Sequence, residues 1–320
     1  MILTVTPNPS LDRTYEVPAL RRGAVLRAPS DRVDPGGKGV NVSRAVAAAG
    51  RSTTAVLPLG GAAGALMAEL LGGLGVDVTA VSIAGATRTN IAVAEPDGTL
   101  TKINAAGPEL TPAESALLLS TVHTQAGAAR WVACCGSLPR GLGPDWYAGV
   151  AEAVHAAGAR IALDTSGPAL LAALEARPDL VKPNASELAA AVGRPLATVG
   201  DVLEAARELR ERGARTVLAS LGADGQLLVG PAGTYYGTAP APAVRSNVGA
   251  GDAALAGFLI AARSGEAVGP DALAAALAHG AAAVQLPGSA MPAPADLRPA
   301  AVRITGDLPL HLTLTDPATP

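Results

Sequence analysis

An acidic residue, Asp252, stands directly after Gly249-Ala250-Gly251 in the stretch "NVGAGDAALAGF", 247–258. The residues that follow it, through Leu255, Phe258, Leu259 and Ile260, read as helix, with no proline until Pro270. Glycines leave room for backbone N–H groups to close on an anion. The first N–H groups of a helix lack intrahelical partners, and the dipole adds partial positive charge. A carboxylate placed there either caps the helix, as Asp commonly does, or acts as a base beside a bound anion.

A second glycine-rich stretch, "DPGGKGVNVSRAVAAAG" at 34–50, sets Gly36, Gly37 and Gly39 around Lys38 ahead of an alanine-rich helix. It fails as a Walker P-loop, because Arg32 occupies the place of the first glycine and Gly39 follows the lysine. Two readings stay open: a turn with a solvated lysine, or a close backbone approach to a polar ligand that Lys38 and Asn41 would bind. "GAGDAA" also fits the dinucleotide pattern Gly-x-Gly-x-x-Ala. Its context argues against a nicotinamide site: "VRSN" is a weak strand, and Asp271 follows Pro270 at a helix start.

Asp12 and Arg88 are ordinary surface charges or cleft residues, and Arg88 offers a planar fork suited to phosphate. In "VKPNASEL", 181–188, Lys182, Asn184 and Glu187 follow a short apolar run. Glu187 either complements the dipole of the helix it opens or holds a magnesium ion through water.

The elements that must position these residues alternate along the chain. Strands are expected at Ile2–Thr6, Thr53–Leu57, Trp131–Cys135, Arg160–Asp164, Leu180–Lys182 and Thr216–Ser220. Helical stretches lie near 38–49, 62–73, 112–125, 144–157, 185–191 and 199–212. Such alternation implies a mostly parallel sheet with helices on both faces, and ligands gather outside the carboxyl ends of its strands. Segments 12–33 and 88–103 break the pattern. They alternate like antiparallel strands, the second hinged at Pro96-Asp97-Gly98, and predict a small accessory sheet overhanging the cleft as a lid. Residues 305–320 read as a loose tail.

Composition narrows the function. With 320 residues, 49% of them hydrophobic, and a net charge of −3, the chain shows no basic stripe for nucleic acid or anionic membrane. One Phe, two Trp and four Tyr leave little for base stacking. Cys134 and Cys135 are neighbours, so on a strand they face opposite ways and neither pair nor share a metal. His123, His155, His279 and His311 have no ligand spacing. No export signal and no long apolar span are visible, so a soluble, cytoplasmic protein is expected.

Taken together, "GGKGVN" (36–41), "KPNASEL", "SLGADG" and "NVGAGDAALAGF" resemble the signatures of the PfkB/ribokinase carbohydrate kinases over nearly the whole chain. "TPNPSLDRTYEV", "TRTNI" and "CCGSLPRGL" are similar to the branch holding 1-phosphofructokinase and tagatose-6-phosphate kinase. The resemblance implies a single ribokinase-like α/β domain over 1–320 with an inserted antiparallel β lid. It implies an ATP- and Mg²⁺-dependent sugar-phosphate kinase, foremost for fructose 1-phosphate, with tagatose 6-phosphate and fructose 6-phosphate as alternatives. A catalytically silent sugar-binding or regulatory protein is the rival of a different class.

Carried onto this sequence, Asp252 resembles the catalytic base, and Gly249, Ala250 and Gly251 its anion hole. Asp12, Gly37, Lys38, Asn41, Arg88 and Asn90 fall on the sugar-phosphate side. Lys182, Asn184, Ser220, Gly222, Gly225 and Asn247 fall on the ATP side, and Glu187 with Asp164 in the magnesium network. Two positions depart from the pattern: Asn247 stands where threonine is frequent, and Ala92 where the branch often has lysine. A homodimer through the lid is implied as well. The alternation of Tyr15 and Val17 with Thr14 and Glu16, and of Ile91 and Val93 with Asn90, Ala92 and Ala94, gives the lid an apolar face that needs cover.

Overall fold

A computed structural model of the chain describes residues 1–262 and 268–319. Short apolar runs, too brief for helices and bounded by Gly and polar residues, form the centre of a ten-stranded sheet. Its parallel part runs in space from Val217–Ser220 through Leu180–Val181, Arg160–Asp164, Trp131–Cys135, Ile2–Val5 and Thr53–Leu59 to Asp77–Ser82. Three antiparallel strands, Gln226–Gly230, Gly233–Thr238 and Arg303–Thr305, extend the other edge. Alternation along the central strand sends Val132 and Cys134 into one core layer and Trp131, Ala133 and Cys135 into the other. Helices Pro112–Ala126, Trp146–Ala156 and Val199–Glu211 cover the first face, where Leu118, Val150 and Leu203 pack. Lys38–Ala48, Ala250–Ala261 and Pro270–Ala283 cover the second through Val42, Phe258 and Leu273.

The helices do not all begin in the same way. Pro112–Ala126 and Val199–Glu211 start with capping boxes, Thr111 with Glu114 and Thr198 with Asp201. Such a cap contributes about 1 kcal/mol. Helices Lys38–Ala48 and Ala250–Ala261 instead start from Gly37 and Gly249, with no side-chain cap.

The lid is a four-stranded sheet in the order Ser30–Gly36, Ser10–Glu16, Arg88–Ala94, Leu100–Ile103. Its outer pairs are antiparallel, as expected, and the turn at Pro96–Gly98 closes with Gly98 N–H donating to Glu95 O at 3.0 Å. The central pair, Ser10–Glu16 with Arg88–Ala94, runs parallel, which local alternation does not encode. The C-terminal segment departs from the expected loose tail. Thr313–Ala318 pairs antiparallel with Leu196–Thr198, Leu314 and Ala318 are buried, and Thr315 donates to the Asp224 carboxylate at 2.7 and 2.6 Å. Position 320 lies outside the described residues. Among the described residues no helix is long and apolar enough to cross a membrane.

Candidate functional site

Helix Ala250–Ala261 begins where Gly249 takes the left-handed conformation, φ 78°. A Cβ there would also lie 2.8 Å from Met291 Cε, so a larger residue would have to displace the end of that side chain as well. Two residues on, a Cβ on Gly251 would stand 3.3 Å from the Lys182 ammonium. The glycine thus lets a buried cation approach the helix start. Asp252 follows, 7% exposed, and does not cap its helix. Its Oδ2 accepts a hydrogen bond from Asn41 Nδ2 at 2.9 Å. Burial first, and the negative charge of Asp164 second, push its pKa up to about 6, against the pull of Asn41, Lys182 and Lys38.

Asp164, fully buried at the end of its strand, has the opposite surroundings. Lys38 Nζ lies 2.7 Å from Oδ1 and Lys182 Nζ 2.9 Å from Oδ2. Burial raises this carboxyl, but the two ammonium groups outweigh it and hold it below the usual carboxylate range. Lys38 reaches across to Glu187 Oε1 as well, at 3.0 Å. It is therefore not a solvated turn lysine. Burial opposes its charge, yet Asp164 and Glu187 hold its pKa above the ordinary lysine value. The glycines beside it are packed, not merely flexible: a Cβ on Gly39 would lie 2.4 Å from Thr6 Oγ1, and Gly37 has φ 113°.

On the lid side, Asn90 Nδ2 donates to Asp12 Oδ1 at 3.0 Å and to Ser10 Oγ at 2.9 Å, while Ser10 Oγ donates to Asp12 Oδ1 at 2.8 Å. Arg88 is held by backbone: Nη1 donates to Ala105 O at 2.7 Å and Nη2 to Asn8 O at 2.9 Å. Burial lowers its pKa, and Asp12 partly restores it. Its Nε, with Asn8 Oδ1 and Thr6 Oγ1, is buried without a hydrogen-bond partner among the described residues. These residues line one open cleft of about 720 Å³ together with Ser10, Asp12, Lys38, Asn90 and Glu187. Unpaired buried polar atoms are costly, and a cleft lined by them suits a polar occupant.

The remaining expected residues sit on the next strand ends. Asn184 caps helix Ala185–Val192, accepting from Glu187 N at 2.8 Å, and Glu187 Oε2 accepts from Asn184 N at 2.9 Å. The capping use of this pair is thus real, and it leaves Glu187 Oε1 directed at Lys38. Asn184 bridges to Ser220, after which Gly222 (φ 60°) and Gly225 (φ 102°) make a tight turn before Gln226. Asn247 is exposed just before the glycine cap. Residues that the sequence did not single out are Asn8, Ser10, Ser137, which lines the same cleft and accepts from Asn8 Nδ2 at 3.4 Å, and Arg44. The first three lie in the polar runs that follow buried strands, which was the available signal; Arg44 had none.

The chain matches the model of the pfkB family carbohydrate kinases over residues 8–296. It belongs to that family. It is similar to the 1-phosphofructokinase of Rhodobacter capsulatus, 42% identical over 266 residues, which cover 82% of this chain and 84% of that protein. It is also similar to the ATP-dependent 6-phosphofructokinase isozyme 2 of Mycobacterium tuberculosis, 38% identical over 262 residues, covering 81% and 77%. Phosphofructokinase-2 from Escherichia coli superposes with a TM-score of 0.86 at 33% identity, over 92% of this chain and 96% of that one. The ribokinase-like architecture expected from the motifs is the one observed.

Pairing by lysine decides where magnesium fits in this pfkB-family chain. Both Asp164 oxygens are engaged by ammonium groups, so Asp164 does not fit as a direct ligand. Among the described residues no group of three or more His, Cys, Asp or Glu converges on a metal position. Glu187, partly exposed at the cleft, fits an ion that keeps its water and arrives on nucleotide phosphates.

Proposed function

We propose that the chain, working as one ribokinase-like unit, transfers the γ-phosphoryl group of ATP to fructose 1-phosphate, giving fructose 1,6-bisphosphate and ADP. The observation that carries this reading is Asp252: a buried carboxylate at a glycine-capped helix start, which does not cap that helix and accepts from Asn41. Asp252 takes the proton of the sugar's primary hydroxyl as that oxygen attacks the γ-phosphorus and the bond to ADP breaks. The N–H groups of 249–252 and the Lys182 ammonium stabilise the charge on the phosphoryl group in transit. Asp12 and Asn90 bind sugar hydroxyls, and Arg88, with donors left beyond its two carbonyl bonds, faces the sugar phosphate. Lys38 stands between the two halves, and Asn41 between sugar and base. Asn184, Ser220, Gly222, Gly225 and Asn247 border the ATP. Magnesium bound with ATP would screen its phosphate charge, and Glu187 is the carboxylate that would hold it through water. Dependence on ATP favours the cytoplasm.

A second reading, fructose 6-phosphate as acceptor, is favoured by the similarity to the Mycobacterium tuberculosis 6-phosphofructokinase. The two share every step above and differ in where the substrate's own phosphate sits. The lid supplies a further part of the proposal, a homodimer. Ile91 and Ile103, paired in register on the lid, are 38% and 62% exposed, and a second copy of the same sheet would bury them.

An assay coupled to ADP release, run on fructose 1-phosphate, fructose 6-phosphate, tagatose 6-phosphate and fructose, tests the function. The highest kcat/KM is expected with fructose 1-phosphate, and Asp252→Asn should lower turnover about 10²–10⁴-fold. Turnover of fructose alone would overturn the sugar-phosphate reading. Preference for fructose 6-phosphate would establish the second. Sugar-phosphate binding without ADP release would leave a silent binding protein.

A further inference from the structure

We infer that Arg44 sets the polarity of the Asn41 amide and, through it, the placement and basicity of Asp252. Arg44 is 9% exposed and lies three residues, just under one helical turn, beyond Asn41. Its Nη1 donates to Asn41 Oδ1 at 3.0 Å and also reaches Pro35 O at 3.1 Å and Ser289 Oγ at 3.3 Å. An amide has one accepting and one donating end. With Oδ1 fixed on a guanidinium, Nδ2 must point the other way, and there it donates to Asp252 Oδ2 at 2.9 Å. Were the amide turned over, its oxygen would face the carboxylate and its NH₂ the guanidinium, so both contacts would turn repulsive. A guanidinium stays charged across the working pH range, so the orientation it imposes does not switch.

Arg44 is thus a positioning residue: it acts on the base through Asn41 and needs no contact with substrate. Its backbone bond to Pro35 O and its side-chain bond to Ser289 tie that orientation to two segments flanking the cleft, the end of the lid strand Ser30–Gly36 and the loop after helix Pro270–Ala283. The charges around Arg44 are Asp34, Asp12, Arg32 and Asp252. The ionisable groups whose fields meet at Asp252 are Asp164, Lys182 and Lys38, with the neutral Cys135 thiol nearby. None of these supplies the directed hydrogen bond that Asn41 gives.

The inference rests on the reading of Asp252 as the base, and a double-mutant cycle separates the two. Asn41→Ala, Arg44→Met and the double variant are compared for kcat, for KM of ATP and for the pH dependence of kcat. Each single change is expected to lower kcat about 10–100-fold, the range found when a residue orienting a functional group is removed. KM for ATP should stay near the parent value. The double variant should be no slower than Asn41→Ala, because Arg44 has nothing left to orient. In each variant the acid limb of the profile should move to higher pH, since a donor to the ionised carboxylate is lost. Losses that multiply, or an acid limb that stays in place, would overturn the inference. If Arg44→Met gives no native circular dichroism, Arg44→Gln, whose amide can accept as well as donate and so dictates no polarity, replaces it in the same cycle and the same two outcomes decide. Asp252→Asn is measured beside them. If it remains active, the base reading fails and the inference with it; if it is inert while the cycle multiplies, only the inference fails.

Discussion

Asp252 and Asp164 are both buried carboxylates, and their neighbours push them apart: two lysines clamp one, and a single amide bonds the other. The consequence for stability follows from the sign of the shift. Asp252 has a folded pKa of about 6 against an ordinary 3.8. The folded state therefore holds the proton more tightly, and this group's contribution is fully present below pH 4 and is lost as pH rises through 6. Asn at the same position cannot ionise. Asp252→Asn should therefore be more stable than the parent at pH 7, by about 1–3 kcal/mol, with the advantage gone near pH 4. Thermal melts at the two pH values check it, and equal stability at pH 7 would mean that the carboxylate is better solvated than its burial implies. A site residue that raises stability when neutralised while losing turnover marks strain held for function. At this scale the sequence exposed the glycines and Asp252, because their spacing is local. It did not expose the lysine clamp, which joins Lys38 to Asp164 across 126 positions, nor Arg44, which reads locally as one more exposed charge on an alanine-rich helix.

Among the elements, the start of helix Lys38–Ala48 is pressed against the end of the first strand. A methyl group on Gly39 would meet Thr6 Oγ1 at 2.4 Å and Val5 O at 3.1 Å, and Val5 O belongs to the central sheet. Gly39→Ala should therefore cost about 1–3 kcal/mol by forcing the helix off the sheet, and urea titration reads this as a lower midpoint with an unchanged slope. A neutral effect would mean that the helix start yields easily and that the cleft wall is soft. The buried parallel strands and their helices were legible because each is an unbroken apolar run followed by a polar turn, and Trp131–Cys135 and Arg160–Asp164 fall where the sequence places them. The strands toward the edges of the sheet were not. Asp77–Ser82 and Gly233–Thr238 carry polar, Gly and Tyr residues that form strands only because a neighbour offers a ladder. The parallel pairing inside the lid is likewise set by tertiary docking and not by alternation.

For the whole molecule, the exposed Ile91 and Ile103 make the quaternary state a direct test of the lid. Sedimentation at micromolar concentration should give twice the single-chain mass, and Ile103→Glu, which sets a carboxylate in the apolar face, should give monomers. A fully active species of single-chain mass in the parent protein would rule out the lid-paired dimer. The central strand has another consequence. Cys134 and Cys135 are adjacent and fully buried, yet they belong to different core layers, one shared with Leu118 and Val150 and the other with Val42 and Phe258. Burial pushes both thiols up, so neither offers a thiolate to an alkylating reagent while the sheet stays covered. Lifting the helices from one face bares a single thiol; global unfolding bares both. The number of labels taken up per chain therefore counts how many sides of the sheet have opened, so the molecule carries its own two-channel gauge of partial against complete unfolding.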